Sequence, residues 1–166
     1  MINFPRINTE RCILDQITNN DVNTLLYIIK DKLSKHFLPE LYEICKTETD
    51  ILHIIKSFDY YYHKEEGFLW GIRRYNRLIG FIAIIEISNN PTIFYSMHPI
   101  FRNKGYIKEC IPSIISYIFD NNLCQHITSE VFFDNKPSLY ILLSSGFCIE
   151  KKNKEKFLLK KDRIIQ

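Results

Sequence analysis

The hydrophobic period of this chain changes at Gly67 and again after Pro99, which restricts it to a fold of mixed helices and strands. Before Gly67, Val22, Leu25, Leu26, Ile28 and Ile29 recur at helical spacing within residues 18–33, with Asn20 or Asp21 as the N-cap. Ile51, Leu52, Ile54, Ile55 and Phe58 repeat that pattern behind Thr47 or Thr49, and a loop containing Pro39 separates the two predicted helices. A strand over 11–17, carried by Cys12, Leu14 and Ile17, precedes them. Beyond Gly67 the residues read as strands at 68–75 and 77–87, joined by a tight turn at Asn76, and at 92–98, closed by Pro99. Ile107, Cys110, Ile111, Ile114, Ile115, Ile118 and Phe119 then step by three and four, predicting a helix over about 104–121 with a kink at Pro112 that costs about 3 kcal/mol. A strand at 126–133 follows, then a short helix at 135–145 with Pro137 in its first turn and Gly146 as its stop. A hairpin of 147–152 and 155–161 across Asn153 ends the series. This order predicts an α/β (α+β) fold, a mostly antiparallel central sheet flanked by helices.

At 166 residues and 46% hydrophobic, the chain is long enough for a core of its own, and no break in composition divides it; a single domain over 1–166 is expected. The formal net charge of +3 is far from the excess of a dedicated nucleic-acid binder. No apolar run has signal-peptide or membrane-spanning character, so a soluble, cytoplasmic protein without nucleic-acid or membrane partners is expected. The five cysteines include no CxxC pair, and the five histidines no HxxxH or HExxH pair. The thiols are expected to stay reduced, and no metal is expected.

Residues 101–107, FRNKGYI, place Gly105 at the mouth of the predicted central helix. A glycine there lets backbone amides approach a ligand, and Arg102 and Lys104 would make that ligand an anion. The same heptapeptide also suits an ordinary loop-to-helix turn.

Three separated stretches resemble the GNAT superfamily of acetyl-CoA-dependent N-acetyltransferases, especially its ribosomal-protein N-terminal acetyltransferase branch. FPRINTERCIL resembles that branch's opening, with Cys12 in place of the usual leucine; YSMHPIFRNKGYIKEC resembles the strand, pyrophosphate loop and helix of its centre; DNKPSLYILLSSGF resembles its closing motif. The resemblance spans nearly all of the chain and implies a sheet splayed in the middle. It implies that the amides of Asn103, Lys104, Gly105, Tyr106 and Ile107 hold the CoA diphosphate, with added charge from Arg102 and Lys104. The backbone of Met97 and His98 would hydrogen-bond the pantetheine and polarise the thioester. Asn135 would bind the pantetheine arm, and Ser138 would protonate the leaving thiolate.

Two residues depart from the family pattern. Ile107 stands where the loop motif carries Gly or Ala, placing a β-branched side chain near the cofactor. Thr92 stands about where many members carry a glutamate base, leaving Glu86 or Glu130 as substitutes, or as solvated charges. A weak base favours an N-terminal α-amine, with an ordinary pKa of about 7.7–8, over a lysine amine at about 10.4; polyamines and other small amines remain open. The implied reaction is direct acetyl transfer in a ternary complex, by a monomer or homodimer. The alternative is a catalytically silent binding or regulatory module on the same fold.

Overall fold

The computed structural model describes residues 3–165. Among them run eight strands: β1 (Ile7–Asn8), β2 (Ile13–Gln16), β3 (Gly67–Arg74), β4 (Arg77–Ile85), β5 (Thr92–Met97), β6 (His126–Phe132), β7 (Cys148–Lys152) and β8 (Lys156–Asp162). They form one sheet in the order β1-β2-β3-β4-β5-β6-β8-β7. Every neighbouring pair is antiparallel except β5 and β6, which are parallel, with Thr92 and Thr128 as their one register pair. The sheet therefore splits at its centre.

Six α-helices cover it: α1 (Val22–Ile29), α2 (Lys32–Phe37), α3 (Pro39–Ile44), α4 (Glu48–His63), α5 (Tyr106–Asp120) and α6 (Lys136–Ser144). The apolar faces of α1 and α4 pack with Leu69, Phe81 and Phe94 on one side of the sheet. On the other side, Ile107, Cys110, Ile111, Ile114, Ile115, Ile118 and Phe119 of α5 pack with Trp70, Ile82 and Ile93. Central β4 is buried along nearly its whole length because both layers rest on it. Among the described residues no helix is long and apolar enough to cross a membrane.

The expected fold class holds, with local differences. The helix predicted over 18–33 breaks after α1, because the Asp31 side chain accepts the Leu33 N–H at 2.9 Å and starts a new helix. Pro39 begins α3 instead of lying in a loop, at the first-turn position where its missing N–H costs nothing. Thr47 caps α4, in a reciprocal box with Asp50. Tyr75 and Asn76 both adopt positive φ (49° and 61°) and close the β3–β4 hairpin as expected. The two-residue β1 is too short to leave a period in the sequence; it follows a segment tied down by the Trp70 Nε1–H donating to Pro5 O at 3.0 Å.

Candidate active site

The split between β5 and β6 opens a cleft of about 520 Å³, bordered by Leu33 and Phe37 of α2, Tyr95 to Met97 of β5, Phe101 to Lys108, and Asn135, Pro137, Ser138, Tyr140 and Ile141 at α6. Its chemistry follows from which backbone groups the fold leaves without partners.

In an antiparallel pair, hydrogen-bonded and non-hydrogen-bonded positions alternate. The His98 N–H donates to Ile79 O at 2.8 Å, so the next position, Met97 opposite Gly80, and likewise Tyr95 opposite Ile82, turn their backbone groups away from β4. They face the side where β6 has already diverged. The Met97 carbonyl there accepts Arg102 Nε–H at 3.1 Å. What remains open toward the gap is the Met97 N–H together with both backbone groups of Tyr95. Of the two residues expected to offer backbone here, the His98 N–H is thus committed to the sheet, and Tyr95 is the residue that faces the gap beside Met97.

The loop after β5 turns twice through left-handed backbone, at Asn103 (φ 59°) and Gly105 (φ 79°), and Gly105 is the N-cap of α5. The first bond of that helix runs from Glu109 N–H to Gly105 O at 3.0 Å. The amides of Tyr106, Ile107 and Lys108 therefore lie ahead of any intrahelical acceptor, at the positive end of a fifteen-residue helix. Arg11, from the β1–β2 turn, holds this loop. Its Nη1–H donates to Lys104 O at 2.9 Å and its guanidinium lies 4.4 Å from the Tyr106 ring centre. A Cβ on residue 105 would meet only Arg11 Nη2, at 3.4 Å, so backbone conformation is what requires glycine. Gly105→Ala is expected to lose about 1–2 kcal/mol of stability in urea titrations, and Gly105→Asn less, because asparagine tolerates left-handed backbone.

Ile107, expected to crowd the loop, borders the cleft but is 7% exposed, its side chain joining the core with Cys110 and Ile111. Arg102, expected to add charge for an anion, is engaged elsewhere: besides Met97 O, it pairs through Nη2 with Asp31 at 2.7 Å. Burial opposes the Asp31 charge, but the Leu33 N–H and Arg102 outweigh it and hold that carboxyl below its ordinary range. The pair joins the α2 N-terminus to the loop after β5. Lys104 lines the cleft, and Lys108 donates to the Tyr140 hydroxyl at 3.0 Å at its border.

Across the gap, Asn135 caps α6, its Oδ1 accepting the Ser138 N–H at 3.3 Å, which leaves the Asn135 amide NH₂ as a donor. The Ser138 hydroxyl meets the Tyr95 hydroxyl at 2.6 Å. Burial pushes the Tyr95 phenol above its usual range, against the opposing effect of Ser138, so it keeps its proton at neutral pH. Sequence motifs do not single out Tyr95 as a site residue; the one signal that could is its place two residues before Met97, and so on the same strand face.

Glu86 and Glu130 do not border the cleft. Glu86 follows β4 at φ 54° and lines a separate recess with Tyr60, Tyr61 and Lys64. Glu130 accepts from Lys156 Nζ at 3.3 Å on the far half of the sheet. Thr92, near the position where many family members carry a glutamate, meets the Thr128 hydroxyl at 3.3 Å where the two strands touch. No Asp, Glu or His side chain is among the residues lining the cleft.

Comparison with known proteins agrees with this architecture. The family model described as acetyltransferase (GNAT) domain matches residues 11–148. An uncharacterized N-acetyltransferase, YoaA of Bacillus subtilis (strain 168), is 29% identical over 150 residues, covering 87% of this chain and 83% of that protein. Among solved structures, RimL, a ribosomal L7/L12 alpha-N-protein acetyltransferase in complex with coenzyme A, superposes with a TM-score of 0.85 at 11% identity, over 95% of this chain and 98% of the other. RimJ of Mycobacterium smegmatis, in complex with CoA-disulfide, gives 0.83 at 13% identity, over 95% and 87%. At such identities the two structures share the fold.

Proposed function

Because the chain belongs to the GNAT acetyltransferase family, we propose that it moves the acetyl group of acetyl-CoA to a primary amine, with a protein N-terminal α-amine as the favoured acceptor, by direct attack within a ternary complex. The carrying observation is the split between β5 and β6, which turns open backbone groups of Tyr95 and Met97 into a cleft bordered by the first amides of α5. This donor set fits a long ligand with a diphosphate at one end and an amide-bearing arm along its length.

Acetyl-CoA supplies a thioester open to attack by an unprotonated amine. The Tyr106, Ile107 and Lys108 amides, with Lys104, hold the diphosphate through the helix dipole and charge. The Tyr95 backbone and the Asn135 amide NH₂ align the arm as an added strand would be aligned. The Met97 N–H, open toward the cleft, would stabilise the negative charge that grows on the acyl oxygen, a stabilisation that usually dominates acyl transfer. The Ser138 hydroxyl, held by Tyr95, would give its proton to the departing sulfur and be reprotonated by the proton that the attacking amine sheds as the amide forms. With no carboxylate or imidazole lining the cleft, the acceptor must arrive largely neutral. An α-amine of pKa about 7.7–8 does so far more readily than a lysine at about 10.4. The missing base also favours a second reading, the catalytically silent module, which retains cofactor binding alone.

Thermal unfolding with acetyl-CoA, followed by a labelled-acetyl screen over N-terminal peptides, polyamines and aminoglycosides, tests these readings. Cofactor at 100 times its dissociation constant should add about 2.7 kcal/mol of stability. Peptide N-termini are expected to be acetylated in preference to lysine side chains. A stability gain without turnover on any amine supports the silent module, and no gain at all removes the cofactor from the cleft.

A further inference from the structure

Outside the cleft, Cys12, Glu109 and Cys110 bring two sulfurs and a carboxylate oxygen within 4.8 Å of one another. We propose that these three side chains bind a zinc(II) ion, with its fourth position taken by water or the Thr9 hydroxyl. Sequence spacing concealed the site, since Cys12 precedes β2 while Glu109 and Cys110 lie in the first turns of α5.

Both cysteines are closed to solvent. Arg11 grips only one carboxylate oxygen of Glu109, its backbone N–H donating to Oε1 at 3.2 Å and its Nε–H at 3.5 Å. The other, Oε2, is shut away from solvent without a well-formed hydrogen bond, and its neighbouring donor is the Cys12 S–H, a weak one. A buried carboxylate oxygen in that position is costly unless something positive meets it. Tetrahedral zinc, with bonds of about 2.3 Å to sulfur and about 2.0–2.2 Å to oxygen, sets its donors roughly 3.5–3.8 Å apart, within the spread of this cluster.

Charge and donor type point to the same ion. Two thiolates and a carboxylate carry three negative charges, which zinc(II) and the Arg11 guanidinium balance. Sulfur donors select zinc over magnesium or calcium. The Thr9 hydroxyl already bonds Cys12, accepting its N–H at 3.1 Å, and neighbours the Cys110 thiol. Bound zinc would fasten β2 to the turn of α5 that presents the anion-binding amides.

Cobalt(II), a coloured substitute for zinc, tests the site in the reduced, full-length protein. Titration is expected to give thiolate-to-cobalt absorption and tetrahedral visible bands saturating at one equivalent and displaced by zinc. Cys110→Ser should abolish the bands, Glu109→Gln should weaken binding at least tenfold, and Cys148→Ser, which alters the exposed cysteine, should change nothing. Stoichiometric zinc should raise the melting temperature of the wild type but not of Cys110→Ser. If that variant does not fold, Glu109→Gln, whose side chain is 15% exposed, carries the comparison. No band in folded wild type at stoichiometric cobalt, or a band that Glu109→Gln leaves at full affinity, overturns the proposal.

Discussion

Ser138→Ala is expected to lower kcat about a hundredfold, the lower end of what a positioned proton donor contributes, while leaving KM for acetyl-CoA within about twofold. The serine sits against the buried Tyr95 hydroxyl at 2.6 Å, and its own backbone N–H is held by Asn135. Removing one hydroxyl therefore removes the proposed proton donor without disturbing the α6 cap. Tyr95→Phe keeps the ring in place but frees the serine to rotate, so a loss of about tenfold is expected. If the two hydroxyls act as one unit, the double variant should be no slower than Ser138→Ala alone. Steady-state rates of the three proteins decide the matter. Full turnover by Ser138→Ala would mean the departing sulfur takes its proton from solvent, and the Tyr95–Ser138 contact would then be a packing feature.

Arg73→Ala is expected to cost about 3 kcal/mol of folding stability, as breaking a buried ion pair does. Arg73 forms a fork with Asp21, both bonds at 2.8 Å, and a further bond to Asp15 at 2.6 Å. The Asp21 side chain is 9% exposed, so losing its partner leaves a nearly buried negative charge; Asp15, at 29%, recovers more hydration and keeps the cost from rising further. Burial opposes the charge of Asp21, but hydrogen bonds from Arg73 and Thr18 outweigh it and hold the carboxyl below its ordinary value. The folded pKa is thus depressed relative to the unfolded one of about 3.9. This contribution is present in full above that value and is lost as pH falls through the folded pKa. Urea melts from about pH 3 to pH 7 should show wild-type stability falling below about pH 4. Arg73→Ala should be weaker at neutral pH and show a smaller acid-dependent fall, because only the Thr18 hydrogen bonds then oppose burial at Asp21. A loss under about 0.5 kcal/mol would reduce the cluster to an ordinary surface pair.

Features that depend on neighbours within a few residues are legible in the sequence itself. The α5 face from Ile107 to Phe119 is one, because every member follows from steps of three and four along one helix. The β3–β4 hairpin at Asn76 and the glycine that opens α5 are others, each a local demand for left-handed backbone. Glu86 and Glu130 could not be placed this way. A carboxylate near a strand end in sequence carries no information about which side of a split sheet it will face.

Chain chemistry close at hand therefore located most of the helices and strands, the glycine turn that opens α5, and the motifs that resemble the family. Folding settled which of those residues meet. Tyr95 reaches Ser138 across 43 residues, and Arg11 reaches Lys104 across 93. Arg102, legible as a free charge, becomes half of a pair with Asp31. The physical reason is range: backbone conformation is chosen by contacts a few residues away, whereas a site is assembled wherever the packing of two apolar layers forces distant polar groups to find one another.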